Sequence, residues 1–351
     1  MGSLSTPALV LVFVAGSGLT WAAGTVLSKT TDALDARLRL GADLGGLILL
    51  AIAGSLPELA ITVSAAASGN LGLAAGNLIG GIAMQTMVLV ICDVASGPQP
   101  PLTYLIGRLT PVLEGLLVMN VVAFALMGAL LAPRYAIGGV VSPASIAIVV
   151  VWLGGLFIIN REGKAPHWKV EMPGSSPGRR HRREPHPEKA PPYGKRSTAV
   201  VGAFFGAACL VTLAAGVALE ESGNELANRA GVNGVVFGAT VLAAASALPE
   251  ISSGIAAVRL GDNALAMGDI LGGNAFQLCL FLLADIIAVR PVLPYAGDTN
   301  AWLGALGIAL TAIYCFGMIS RPARAHLRIG PDSWLAVVVF GLGIAGMFAL
   351  R

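Results

Sequence analysis

Charge is scarce in this sequence. Charged side chains make up only 12% of the 351 residues, about half of the roughly 25% found in soluble domains. Hydrophobic residues make up 56%, the mean hydropathy is +0.79, and there are 45 glycines. A soluble core this apolar would have too little polar surface to stay in solution, whereas glycine-rich apolar helices are typical of membranes. The composition excludes an ordinary soluble domain and indicates an integral membrane protein.

Cysteine and histidine are also few, and neither is arranged as a site. The cysteines lie inside apolar runs without the spacing of a zinc site, which excludes a disulfide framework. The histidines lie in polar or basic segments, so no serine–histidine or zinc-type histidine pair falls within a span. We therefore predict that the protein is not an enzyme and holds no cofactor. The residues concerned are Cys92, Cys209, Cys279, Cys315, His167, His181, His186 and His326.

Long apolar runs are abundant, and a membrane span needs about 20 of these residues in succession. The first run lacks a basic segment before it, which favours a spanning helix over a cleaved signal. We predict an all-α, polytopic membrane protein with about ten transmembrane helices. The predicted spans are 6–28, 42–66, 71–96, 104–132, 137–160, 198–219, 232–258, 264–289, 299–319 and 332–350.

A hydrophilic segment at 161–197 divides the chain into a first half at 1–160 and a second half at 198–351. The segment is rich in Pro, Gly and Arg and has no apolar periodicity, so it predicts a flexible linker. The Lys/Arg bias of the loops predicts an external N-terminus and a cytoplasmic linker, in the cell membrane. The basic cluster at 179–183 could contact anionic lipid headgroups or only determine topology. The predicted partners are cations and the bilayer, and no nucleic acid.

The two halves contain a repeat. Residues 53–58 read Ala-Gly-Ser-Leu-Pro-Glu and residues 245–250 read Ala-Ser-Ala-Leu-Pro-Glu, 192 positions later. The same shift aligns a pair of glycines, a glutamine and an aspartate downstream. Five spans per half is an odd number, so the second copy must be inverted, an architecture common among secondary transporters. The further aligned pairs are Gly80 with Gly272, Gly81 with Gly273, Gln85 with Gln277, and Asp93 with Asp285.

Each repeat places a glutamate deep in a predicted span. Glu58 and Glu250 lie some sixteen and eighteen residues into theirs, where an ionised carboxylate is costly unless it is paired, protonated or bound to a cation. Each follows a proline, which disrupts the helix one turn earlier and frees carbonyls near Ala53-Gly54 and Ala245-Ser246. Carboxylates and carbonyls suit Ca²⁺, or Na⁺ with fewer contacts. The pattern predicts a cation site near the membrane midplane.

Other polar residues of the repeat leave alternatives open. The amide oxygens of Gln85 and Gln277 could complete a cation shell, or the amides could join helices by hydrogen bonds. Asp93 and Asp285 lie near span ends, where an exit-path role and a capping role are equally compatible with the pattern. The repeat aligns Glu114 with Leu306, which is not acidic, and this predicts an accessory role for Glu114.

The two copies of Leu-Pro-Glu, each followed by Gly-x-x-x-Gly-Gly, resemble the α-repeats of the sodium/calcium exchanger membrane region, in the calcium/cation antiporter superfamily. The resemblance covers all ten predicted spans and implies alternating access, with Ca²⁺ exchanged for Na⁺ or H⁺ around the paired glutamates. It implies that Glu58 and Glu250 are the central ligands and that Ser55 and Ser246 supply hydroxyls. Gln85 and Gln277 stand where sodium-coupled members have Asn or Asp.

The sequence also departs from the family pattern. Gly81 and Gly273 replace a serine, and Ile82 replaces an asparagine that the second half retains as Asn274. One hydroxyl is missing before each Leu-Pro-Glu. The resemblance thus implies fewer sodium ligands, although two carboxylates can also exchange a divalent ion for two protons.

Three alternatives remain for the function. Lost hydroxyls favour a Na⁺/H⁺ or other monovalent exchanger. A channel would need a continuous polar stripe, and each helix carries only isolated polar positions. An intramembrane aspartyl enzyme could pair Asp93 with Asp285 or use Asp269, but Ala-Met-Gly precedes Asp269 where a membrane aspartyl protease has Gly-x-Gly.

Overall fold

The computed structural model describes residues 1–38, 54–97, 100–164, 193, 196–232, 234–259 and 261–347. These residues are almost entirely helical and contain no β-strand, only two isolated bridges. Short helical turns at Leu102–Leu105, Pro133–Tyr135, Gly234–Phe237 and Leu293–Tyr295 join the longer helices. The longer helices are α1 (Thr6–Leu38), α2 (Leu56–Ala67), α3 (Leu71–Ala95), α4 (Thr110–Ala129), α5 (Pro143–Lys164), α6 (Thr198–Ala230), α7 (Gly238–Ser246), α8 (Leu248–Arg259), α9 (Asn263–Ala288), α10 (Gly297–Ser320) and α11 (Pro331–Met347).

Seven of these helices are long and apolar enough to cross a membrane. Helices α7 and α8 form an eighth span if they are counted as one helix with a bend of 49°. Helices α2 and α11 are apolar but shorter. Each of the ten predicted segments coincides with one of these helices or with the bent pair. The second predicted span is described only from residue 54 onward, and most of the predicted linker lies outside the described residues. The structure confirms an all-α polytopic membrane protein and is compatible with ten spans.

The repeat is visible in the helix boundaries. Helices α1 and α6 are both 33 residues long, and they begin 192 positions apart. Helices α2 and α8 are both 12 residues long and begin at the same interval. Helices α3 and α9 also begin 192 positions apart, at Leu71 and Asn263. The two halves therefore repeat in local structure as well as in sequence.

The ends of α1 and α6 show that the second half is inverted. Arg229, near the end of α6, donates a hydrogen bond to the Thr6 hydroxyl at the start of α1, at 3.1 Å. Arg37, near the end of α1, donates to the Thr198 hydroxyl at the start of α6, at 3.5 Å. The two helices are therefore antiparallel. Since the repeat equates Thr6 with Thr198 and Arg37 with Arg229, the same pair of residues is joined twice, as an inverted repeat requires.

Asp93 and Asp285 each join a loop of one half to a loop of the other half through hydrogen bonds. Both are fully or almost fully buried, and each carboxylate accepts backbone N–H groups with both of its oxygens. One donor is in the loop that follows the aspartate, and the other is in the loop before the last helix of the opposite half. The sequence was compatible with a capping role and with an exit-path role, and these hydrogen bonds correspond to capping. The donors are Leu102 at 2.8 Å and Gly330 at 2.7 Å for Asp93, and Val292 at 2.7 Å and Ser142 at 2.9 Å for Asp285.

Candidate cation site between the two halves

Both Leu-Pro-Glu motifs open a helix after a break. The chain turns at Ser55 and at Ala247, and α2 and α8 begin at the next residue. The proline is the second residue of each helix, where its missing N–H costs no intrahelical hydrogen bond. The glutamate is the third residue, in the first turn. Because the first N–H groups of a helix have no intrahelical acceptor, this position favours a negative charge.

The two glutamates are buried and converge on one side chain. Glu58 is 0% exposed and Glu250 is 6% exposed. The amide nitrogen of Gln85, on α3, donates to Glu58 Oε1 at 2.9 Å and lies 3.4 Å from Glu250 Oε1. A single nitrogen atom therefore contacts one carboxylate from each half. The pair predicted from the repeat is brought together in space.

The other oxygen of each carboxylate has no donor in the part of the chain that the structure describes. Within the described residues, neither Glu58 Oε2 nor Glu250 Oε2 accepts a hydrogen bond. Two buried carboxylates repel one another when both are ionised, and the shared contact with Gln85 places Glu58 and Glu250 close enough for this repulsion. Buried charge of this kind needs a counter-charge to be stable. The arrangement is chemically suited to a cation held between the two halves.

The broken segment of each half approaches the glutamate of the other half. Ser246 donates to the Ala243 carbonyl at 3.2 Å and also lies beside the Glu58 carboxylate. A Cβ atom built on Gly54 would lie 3.9 Å from Glu250 Oε1, so the backbone there is close to that carboxylate. Pro249 has no N–H to donate to the carbonyl of Ala245, one turn earlier. Ser55 and Ala245 are buried at the two breaks, and Ala53 lies outside the described residues.

Gln277 and Asn274 contact α3 and not the glutamates. The Gln277 amide nitrogen donates to the Leu78 carbonyl at 2.6 Å and lies 3.4 Å from the Asn77 carbonyl. Asn274 donates to the Thr86 hydroxyl at 3.3 Å. The amide oxygens of Gln277 and Asn274 have no donor among the described residues. The structure therefore gives the two repeated glutamines different surroundings, and of these two glutamines Gln85 is the one that contacts the carboxylate pair.

Two glycines that the sequence analysis missed pack against the glutamate helices. A Cβ atom on Gly24, in α1, would overlap the Pro249 Cβ atom. A Cβ atom on Gly216, in α6, would lie 2.6 Å from the Ala60 Cβ atom and 3.0 Å from the Pro57 carbonyl oxygen. The two glycines are themselves 192 positions apart, and that interval is the signal that could have identified them. Each of the long helices thus packs closely against the glutamate helix of the opposite half.

We expect Gly24→Ala and Gly216→Ala each to slow ion exchange by about tenfold. The new methyl group would overlap atoms next to the Leu-Pro-Glu motif, and overpacking of this kind costs about 1–3 kcal/mol. A displacement of the proline would also move the adjacent glutamate away from Gln85. The measurement is the initial rate of exchange in vesicles, normalised to folded protein.

Matched glycines on the same helices provide the controls. No neighbouring atom lies within 4 Å of a Cβ atom on Gly18, in α1, or on Gly206, in α6. Gly18→Ala and Gly206→Ala should therefore leave the rate unchanged. Equal slowing by all four substitutions would show that helix propensity, and not packing at the motif, is responsible.

Comparison with known proteins identifies the family. The family model described as sodium/calcium exchanger protein matches the chain twice, at residues 8–159 and 198–349. These two matches correspond to the two halves and leave out the region between them. They cover most of the chain.

Individual relatives are more distant. The inner membrane protein YrbG of Escherichia coli (strain K12) is 28% identical over 139 residues, which are 38% of this chain and 43% of YrbG. The chain thus matches less than half the length of that relative. CaxA of Alkalimonas amylolytica, a protein provisionally named an antiporter, is 24% identical over 286 residues, or 80% of this chain and 82% of CaxA.

Two solved structures have a similar fold. The H⁺/Ca²⁺ exchanger CAX superposes with a TM-score of 0.67 at 14% identity, over 97% of this chain and 82% of CAX. The sodium–calcium exchanger NCX_Mj, soaked with 10 mM Na⁺ and zero Ca²⁺, superposes with a TM-score of 0.61 at 15% identity, over 99% of this chain and all of NCX_Mj. These likenesses establish the architecture. Together with the family model that matches both halves, they show that this integral membrane protein belongs to the sodium/calcium exchanger family.

Proposed function

We propose that the chain is a secondary active antiporter that exchanges Ca²⁺ for Na⁺ or H⁺ at the Glu58–Glu250 pair. The observation that carries the proposal is the contact of one Gln85 amide group with a buried carboxylate from each half. Two carboxylates supply the two negative charges that balance one Ca²⁺ ion. Two monovalent ions or two protons supply the same compensation on the return step.

The surroundings of the pair provide further hard ligands. Ca²⁺ takes six to eight oxygen ligands at about 2.3–2.6 Å. Ser246 and the backbone at Gly54 lie beside the carboxylates, and Ser55 lies at the break in the same helix. Rotation of the Gln85 amide by half a turn would bring its oxygen, instead of its nitrogen, toward the bound cation. Gln85 thus donates hydrogen bonds to the carboxylates before the cation binds, and its amide oxygen coordinates the cation afterwards.

Neutralisation of the glutamates couples binding to the conformational switch. A site with two uncompensated carboxylates is costly to move through the membrane interior. The site with a bound cation, or with two protons, has no such cost. Helices α1 and α6 pack on the glutamate helices at Gly24 and Gly216, so their movement can open the site to one side at a time. Exchange without leak follows from this restriction.

The proposed topology rests on the distribution of basic residues. The N-terminus lies outside, and the linker at 161–197 lies in the cytoplasm, next to the cell membrane. The halves at 1–160 and 198–351 act as the two repeats of the antiporter. The basic cluster at 179–183 contacts anionic lipid headgroups or serves only to set this topology.

The proposal is tested by Ca²⁺ uptake into vesicles that contain the purified protein. An outward Na⁺ gradient and an outward H⁺ gradient are imposed in separate experiments. We expect one of them to drive uptake several-fold above protein-free vesicles, and an ionophore that dissipates the gradient should abolish it. Absence of uptake under both gradients, from correctly folded protein, would contradict Ca²⁺ exchange.

A second candidate is Na⁺/H⁺ or another monovalent cation/proton exchange. It is favoured by the hydroxyls missing before each Leu-Pro-Glu and by the contacts of Gln277 with backbone carbonyls, away from the carboxylate pair. The same vesicles, loaded with a pH-sensitive dye, are given a jump in external Na⁺. Proton movement there, without Ca²⁺ movement in the first experiment, would select the second candidate.

A further inference from the structure

Two buried acidic residues break the internal symmetry of the protein. Glu114, on α4, is 6% exposed, and the residue 192 positions later is Leu306. Asp269, on α9, is 8% exposed, and the residue 192 positions earlier is Asn77. Both departures replace a neutral side chain of one half by a carboxylate. The equivalent positions elsewhere in the molecule therefore show that the scaffold itself does not require these charges.

The Glu114 carboxylate lies against α9 at the residue before Asp269. A Cβ atom built on Gly268 would lie 3.1 Å from Glu114 Oε2, and Asp269 is the next residue along α9. The absence of a side chain at Gly268 is what allows the Glu114 carboxylate to approach α9 so closely. The Glu114 carboxylate touches α9 one residue from Asp269, so the two carboxylates repel each other when both are ionised. Repulsion inside an apolar bundle is costly unless a positive charge compensates it.

A hydroxyl group from a third helix completes the cluster. Ser253, on α8, donates a hydrogen bond to Asp269 Oδ2 at 2.5 Å. Ser253 lies three residues after Glu250, and the Asp269 charge also acts on the Glu250 carboxylate. The cluster therefore lies beside the central pair, on the side of Glu250. Acidic side chains then follow one another from Glu58 through Glu250 and Asp269 to Glu114.

One carboxylate oxygen in the cluster has no hydrogen-bond partner among the residues that the structure describes. Among the described residues, no donor reaches Glu114 Oε2, although the residue is more than nine-tenths buried. A buried acceptor left in this state destabilises the protein, and more so when it is charged. Glu114 Oε2 lies against the backbone of Gly268, the residue before Asp269. A bound cation would supply the missing interaction.

We propose that Glu114, Asp269 and Ser253 form a second cation site, which takes a divalent ion such as Ca²⁺, beside the Glu58–Glu250 pair. The inference rests on the proposed function in taking the transported cation as the ligand. Two carboxylates and a hydroxyl are hard oxygen ligands. Because the negative charge of Glu250 is nearby, an ion bound at the second site can move from there to the central pair.

The test is equilibrium dialysis of the full-length protein in detergent against radioactive Ca²⁺. The wild type should bind two ions per chain, and Glu114→Gln and Asp269→Asn should each bind one. The double variant Glu58→Gln/Glu250→Gln should retain one. Asp269→Asn carries the residue that its repeat position already has at Asn77, so it is the variant least disturbing to the fold. Glu221→Gln, at an exposed position on α6, is the control and should bind two.

The other outcomes separate the inference from the proposed function. Two ions bound by both Glu114→Gln and Asp269→Asn would overturn the second site and leave the central site intact. A single ion in the wild type that is lost in Glu58→Gln/Glu250→Gln would do the same, and would indicate that the two acids share a proton. No Ca²⁺ bound by folded wild-type protein would overturn both the inference and Ca²⁺ exchange.

Discussion

Glu58→Gln is expected to reduce ion exchange by roughly 10- to 100-fold, and Glu250→Gln should reduce it to the same extent. Loss of one charge-assisted interaction with the ion costs roughly 1.5–3 kcal/mol, and about 1.4 kcal/mol corresponds to a tenfold change. The two losses should be alike because both carboxylates contact the same Gln85 amide group. The measurement is the initial rate of gradient-driven exchange in vesicles, for each variant and for the wild type.

Glutamine has the shape of glutamate, so the helices should pack as before and the loss should come from charge. Thermal unfolding of each variant should therefore occur close to the wild-type temperature. Glu221→Gln makes the same chemical change at an exposed position of α6 and should exchange at the wild-type rate. Full exchange by both Glu58→Gln and Glu250→Gln would place the transport site elsewhere in the molecule.

The repeat, the fold class and the pairing of the glutamates could be predicted from the sequence, because each depends on local pattern. Runs of apolar residues determine where helices form, and Leu-Pro-Glu determines where two of them begin. The 192-residue interval carries this local information from one half to the other. The same interval reproduces the bounds of α1 in α6 and of α2 in α8.

The different surroundings of Gln85 and Gln277 could not be predicted, because helices α3 and α9 differ in geometry where their sequences align. Helix α3 contains a π-helical turn at Gly76–Gly80, whereas the equivalent positions of α9 are regular α-helix. A π-turn adds one residue to the helical path and rotates everything after it by about 100°. Gln85 follows the turn, so it faces a different direction from Gln277. Repeat alignment alone makes the two glutamines equivalent.

Tertiary contacts also decided what the polar residues at the span ends do. The sequence places Asp93 and Asp285 at equivalent positions but contains no sign of their partners, which lie in distant loops. Gly24 and Gly216 are likewise single small residues in long apolar helices until the opposing proline motif is placed against them. Such roles depend on which helices pack against each other, and local sequence patterns do not determine these tertiary contacts.

Asp93→Asn and Asp285→Asn should each lower the free energy of unfolding by about 2–4 kcal/mol. Both oxygens of each aspartate accept a backbone N–H group, at 2.7 Å to 2.9 Å. An asparagine offers one acceptor and turns an NH₂ group toward the second donor. One charge-assisted hydrogen bond, worth about 1.5–3 kcal/mol, is lost, and a buried N–H group is left without an acceptor. The measurement is thermal and denaturant-induced unfolding of the purified protein in detergent.

A matched control separates this loss from the chemical change itself. Asp262 caps the start of α9 at an exposed position, where its side chain accepts from the Leu265 N–H at 3.1 Å. Asparagine caps a helix about as well as aspartate, so Asp262→Asn should leave stability nearly unchanged. Because one donor to each buried aspartate comes from the opposite half, Asp93→Asn and Asp285→Asn should weaken the attachment of the halves. Wild-type unfolding in both would show that these loops are held by other contacts and that the aspartates are free to serve an ion path.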